Sequence, residues 1–226
     1  MVLDEWEVIK EVIPILKPFH EVANEISAEK NVTLSKVTVL CNLLEGYISK
    51  CVPSNEQIAS MVAKIKNDLK VRFGDLESNA LYAESSILDP RFKRKGFKND
   101  MKYESDVQTL RSRICSIRLP NSNTTNDNLQ HRQNANTEET SSIWNAYDTD
   151  FSKTVRQDNN FAAGVREFDK YLNEEYLGRK EDPLKWWNDR KILYPRVYQY
   201  ALKRLCIVAT SVPDYQDRLS QTDVLF

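Results

Sequence analysis

Side chains capable of chemistry are sparse in this 226-residue sequence, and those present are poorly grouped. The two histidines, His20 and His131, are far apart, so neither a zinc pair at short helical spacing nor a Ser-His-Asp relay can be assembled from them. Cys41, Cys51, Cys115 and Cys206 occur singly in apolar, helix-like surroundings, with no C-x-x-C pair. Buried, reduced thiols of an intracellular protein are expected. Asp214 and Asp217 would share one face of a helix. Metal-assisted phosphodiester chemistry needs carboxylates converging on both the attacking and the leaving oxygen, however, and no partners for this pair are identifiable. An exposed acidic turn is expected there, and solvated charge at Glu138-Glu139 and Glu174-Glu175. With no glycine-rich phosphate loop and no G-x-S-x-G, neither a catalytic residue nor a cofactor or metal site is expected, nor a small-molecule substrate.

Two clusters could serve binding instead. Arg91, Lys93, Arg94, Lys95 and Lys98 place five cations within eight residues. They suit a phosphate-contacting patch or a nuclear-localisation signal, but the residues alone favour a solvated charged loop. Trp186-Trp187 is the most distinctive dipeptide. Its rings could anchor a subunit interface, or pack within their own chain's core. A formal net charge of -1 supplies no global attraction to nucleic acid or to anionic membrane. No apolar run approaches the length of a membrane-spanning helix, and Met1-Val2-Leu3-Asp4-Glu5-Trp6 does not read as a secretory signal.

The elements that must position these residues read as helices. Only five glycines occur, and strand-like alternation is weak throughout, so the fold class is mainly α. Residues 4–27 carry a helical apolar repeat interrupted by Pro14 and Pro18, where a kink or short break is expected. Thr33 is suited to cap a helix with apolar face Leu34, Val37, Leu40, Leu44, Tyr47, Ile48 and Cys51. Ser54-Asn55-Glu56-Gln57 fits a capping box ahead of Ile58, Met61, Val62, Ile65, Leu69 and Phe73, a stripe ending at Gly74. Shorter helices follow at 79–88 and around Tyr103–Ile117. Residues 119–142 hold six Asn, four Thr and three Ser, too little apolar surface to offset ordering, and read as a flexible linker. Helical periodicity resumes at Val165, Phe168, Tyr171 and Leu172, and Pro195 suits the first position of a last helix.

Two stretches resemble hAT-superfamily DNA transposases and the zinc-finger-BED proteins derived from them. Glu5-Trp6, Leu16-Lys17-Pro18-Phe19, Val32-Thr33-Leu34-Ser35-Lys36 and Leu88-Asp89-Pro90-Arg91-Phe92-Lys93 are similar to a helical domain inserted into the family's RNase-H-like catalytic core. Glu167, Tyr171-Leu172, Asp182-Pro183-Leu184, Trp186-Trp187, Tyr194-Pro195, Ala201, Leu205-Cys206 and Ala209-Thr210-Ser211-Val212-Pro213 follow the order of its C-terminal dimerisation region. The resemblance implies three domains: a helical insertion-like region at 1–118, a polar linker at 119–150, and a dimerisation region at 151–226. It also implies nuclear residence and pairing with a second copy or a related hAT-type chain. Candidate pairing residues are Tyr171, Leu172, Leu184, Trp186, Trp187, Tyr194, Pro195, Val197, Ala201 and Leu205.

The departures bear on activity. The family's two metal-binding aspartates belong to strands that would lie before Met1. Its glutamate belongs to a Ser-Glu-Arg-x-Phe-Ser segment expected after Pro213, where this sequence runs Asp214-Tyr215-Gln216-Asp217-Arg218-Leu219. The expectation is a non-catalytic, transposase-derived protein that dimerises through apolar burial, with weak DNA contact at most. A fragment of an active transposase and a weak DNA-binding regulator are the other readings.

Overall fold

The computed structural model describes residues 3–27, 32–119 and 142–210. Eight α-helices occur among them: α1 (Leu3–Ser27), α2 (Leu34–Ser49), α3 (Glu56–Phe73), α4 (Ala80–Leu88), α5 (Asp100–Cys115), α6 (Ser142–Asn173), α7 (Pro183–Asp189) and α8 (Pro195–Leu205). Short 3-10 turns at Leu76–Ser78 and Lys93–Gly96 complete the described set, which contains no strand. The fold is mainly α, as the periodicity predicts.

Helix α1 passes through Pro14 and Pro18 without a break. Pro18 has no N–H for the Pro14 carbonyl four residues back, and the Tyr47 hydroxyl of α2 donates to that oxygen instead, at 2.9 Å. The start of α3 differs by one residue from its expected cap. Asn55 is the N-cap, its side chain accepting from the Ile58 N–H at 2.9 Å. Ser54 turns to α1, its N–H and hydroxyl both donating to the Glu11 carboxylate. Thr33 sits at the N-cap of α2, but its hydroxyl accepts from the Ala209 N–H at 2.9 Å and so ties down the end of the described chain.

Two apolar cores result. Ile15, Leu44, Ile48, Ile58, Val62 and Leu69 join α1, α2 and α3. The larger core takes Ile87 and Leu88 from α4, Val107, Leu110 and Ile114 from α5, Phe168 and Tyr171 from α6, the Trp186-Trp187 pair from α7, and Val197, Ala201 and Leu205 from α8. Helix α2 bridges the two, since the Ser35 hydroxyl donates to Asp89 at 2.6 Å and the Ser86 hydroxyl to the Ser35 carbonyl.

The core does not divide at the expected 119–150 boundary. Helices on both sides of it, α4 and α5 before and α6 to α8 after, bury their apolar faces in one another. Residues 142–150 belong to α6 and not to a linker, because Trp144, Tyr147 and Phe151 extend the helical spacing toward the N-terminus. The remainder of the expected linker, 120–141, and the Pro213–Arg218 segment lie outside the described residues. Helices α5 and α6 run antiparallel, with Arg111 paired to Asp169 at 2.6 Å and Cys115 packed beside Gly164. Cys41 and Cys115 are buried as expected, but Cys51 is half-buried and Cys206, at the end of α8, is exposed.

Candidate dimerisation region

The C-terminal candidates begin on the last turns of α6, where Phe168 and Tyr171 face the core. After Asn173 the chain leaves the helix, and Asp182 caps α7 by accepting from the Leu184 N–H at 2.8 Å, with Pro183 at the first helical position. That short helix delivers both tryptophans to one place. Trp187 is fully buried, its ring centroid 4.7 Å from that of Tyr171 and 4.9 Å from that of Trp186. Trp186 stacks on Tyr194 at 6.4 Å, and the Arg190 guanidinium lies over the Trp186 ring at 4.3 Å.

The polar atoms of these aromatic groups cap a neighbouring helix. A helix leaves its last carbonyls without intrahelical donors. At the end of α4, the Ile87 carbonyl accepts from the Tyr171 hydroxyl at 2.8 Å and the Leu88 carbonyl from the Trp187 indole N–H at 2.9 Å. Pro90 contributes its carbonyl to the Leu177 N–H at 3.0 Å. The end of α6 is capped in return by Lys93, whose ammonium donates to the Tyr171 and Glu174 carbonyls at 2.8 and 2.7 Å and lies 4.7 Å from the centre of the Tyr171 ring. Each of these two helices thus has its C-terminus capped by groups from the other's end of the chain. Burial lowers the Lys93 ammonium pKa to about 8, with Glu174 opposing the shift. Burial also holds the Tyr171 phenol well above its ordinary range.

Helix α8 is anchored by charge. The Glu167 carboxylate accepts from the Val197 N–H at 2.8 Å and pairs with Arg196, and burial raises its pKa despite those donors. Glu84 of α4 accepts from the Tyr200 hydroxyl at 2.9 Å and from Arg204 at 2.5 Å, and also pairs with Arg113 of α5. Tyr194 donates its hydroxyl to Glu174 at 2.5 Å.

The ten pairing candidates therefore fall together, on the inside of their own chain. Tyr171, Trp186, Trp187, Tyr194, Val197, Ala201 and Leu205 are buried, while Leu172, Leu184 and Pro195 are half-buried. Their sequence pattern is shared by a core and an interface, so it could not separate the two. The five cations do not form one patch. Arg91 is buried against Asp89, with a 2.6 Å contact from Nη2 and a second from Nε, and Lys93 is buried as described. Arg94 pairs with Asp100 at 2.7 Å, Lys98 pairs with Glu45, and Lys95 lies exposed over the Tyr176 ring at 4.6 Å. The capping role of Lys93 and the hub at Glu84 were missed from sequence, because both need partners about 80 to 120 residues away.

Residues 167–216 match the hAT family C-terminal dimerisation region, and those described fold into the end of α6, α7 and α8. The C-terminal part of the chain is thus similar to hAT-type transposase-derived proteins. The chain is 26% identical over 217 residues to the human zinc finger BED domain-containing protein 4, covering 93% of this chain but 18% of that relative. The hAT-like segment is therefore no detached arm: its aromatic groups complete a core shared with α4 and α5.

Proposed function

We propose that this chain is a non-catalytic dimerisation module of transposase descent, pairing with a second copy of itself or a related hAT-type chain in a nuclear, DNA-associated setting. The match of residues 167–216 to a dimerisation region carries the reading. Integration of that region into a shared core supports it, because a fixed surface loses less entropy on association than a floppy one. Support for the non-catalytic part comes from the buried carboxylates. Asp89, Glu84 and Glu167 are each saturated by arginines, hydroxyls or backbone N–H groups, which suits structural anchoring and leaves them poorly suited to gather around a metal pair. DNA contact is weak in this reading, since Arg91 and Lys93 are buried and Arg94 and Lys98 are ion-paired. No helix among the described residues is long and apolar enough to cross a membrane.

Light scattering over a wide concentration range tests the pairing. A dimer forming as concentration rises is expected, and a monodisperse monomer throughout would overturn it. Incubation of the full chain with supercoiled DNA and magnesium or manganese is expected to leave the DNA intact. Nicking abolished by a point change in the chain would refute the non-catalytic reading.

A further inference from the structure

The long helix α6 has two halves with different surroundings. Gly164 lies where α5 ends, since a Cβ there would stand 2.9 Å from the Cys115 Cα, and the antiparallel course of α5 places its earlier residues beside later residues of α6. Residues 142–163 therefore run on past the end of α5, over about 33 Å at the helical rise. Trp144, Tyr147 and Phe151 occupy one face of this half at three- and four-residue spacing, and they are 61%, 58% and 56% exposed. Their rings already contact one another, Trp144 edge-on to Tyr147 at 5.9 Å and Tyr147 stacked on Phe151 at 6.1 Å. Continued along α6, the same spacing reaches Phe161, 52% exposed, and then the fully buried Phe168. Toward its N-terminal end the stripe thus winds round to the side of α6 away from the buried Tyr171, on the helix where the dimerisation match begins.

We infer that two copies of this chain associate through antiparallel pairing of the N-terminal halves of α6, centred on Trp144, Tyr147 and Phe151. The inference rests on the dimerisation reading and gives it a surface other than the ten candidates, which are buried or half-buried in their own chain. Three rings so exposed offer roughly 300–400 Å² per copy, a large part of the ~800 Å² per partner in a stable interface. The antiparallel sense follows from shape. The folded body lies at the C-terminal end of α6, so parallel pairing would crowd two bodies at one end, whereas the antiparallel pair separates them and opposes the helix dipoles. With Tyr147 near the two-fold axis, Trp144 of one copy meets Phe151 of the other.

The experiment uses the full chain. Trp144→Gln, Tyr147→Gln and Phe151→Gln are combined in one variant, with helix content checked by circular dichroism. Trp6→Gln and Ile13→Gln form a second variant on the exposed face of α1, the other apolar stripe. Association measured by sedimentation is expected to weaken at least about a hundredfold in the α6 variant and to persist in the α1 variant. Wild-type dimers that survive the α6 changes, or that are lost through the α1 changes alone, would overturn this surface while leaving the dimerisation reading intact. A monomeric wild type would defeat both. In a Cys206→Ser background, a mixture of Trp144→Cys and Phe151→Cys chains is expected to cross-link to each other. Cross-linking confined to Trp144→Cys with itself would refute the antiparallel arrangement.

Discussion

Lys93 holds a φ of 44°, in a region that disfavours a side chain by about 1–2 kcal/mol, yet it is a lysine where glycine would be relaxed. What compensates is its ammonium, buried over the Tyr171 ring and donating to two carbonyls at the end of α6. Lys93→Met should therefore lower stability at pH 7 by about 1–3 kcal/mol in urea titration, through the two carbonyls left without a donor. The pH dependence has a definite sign. The folded chain binds this proton less tightly than the unfolded one, so the contribution of Lys93 rises with pH from about 8 toward the ordinary lysine value and does not vary with pH below that window. The wild type's advantage over Lys93→Met should thus grow between pH 7.5 and 9.5; a constant difference would contradict the burial argument. Trp187→Phe removes the donor to the Leu88 carbonyl and part of a buried ring, and should cost about 2–4 kcal/mol in the same assay. Sequence named Lys93 and Trp187 as notable but could not place them. Charge density reads as solvated, and paired aromatics suit a core or an interface alike.

Among the helices, the approach of α5 to α6 is set by Gly164, which leaves no room for a Cβ against the Cys115 backbone. Gly164→Val should destabilise by about 2–3 kcal/mol through overpacking, even though glycine is a poor helix former. Gly46, with nothing within 4 Å of an added Cβ, makes the converse case. Gly46→Ala in α2 should stabilise by about 0.5–1 kcal/mol, both changes being read from thermal melts. Helix positions were largely legible in the sequence, because apolar spacing within a helix is local information. Pro195 at the start of α8 and the apolar faces of α3 and α5 show this. Caps were less so. Ser54 and Asn55 are both good cap residues, and the choice between them was made by Glu11, on another helix. The unbroken course of α1 was equally hidden, since the donor to the Pro14 carbonyl is Tyr47, 33 residues away.

Across the molecule, the two cores differ in size and in how they are closed. The α1–α3 core rests on six buried side chains, whereas the larger one adds reciprocal caps and buried ion pairs. Amide exchange of α1 and α3 should therefore proceed through a partial opening, at free energies below those of α4 and α8. Equal protection in both sets would indicate a single cooperative unit. Sequence could not reveal this partition, because its apparent boundary followed polar composition while the packing follows which apolar faces meet. The mutual capping of α4 and α6 has one more outcome. The Tyr171 and Trp187 donors and the Lys93 ammonium act across space, independently of the peptide bonds between Leu119 and Ser142. A single protease cleavage in that interval should yield two polypeptides that co-elute under native conditions and part only in denaturant, like a severed rope whose ends stay knotted.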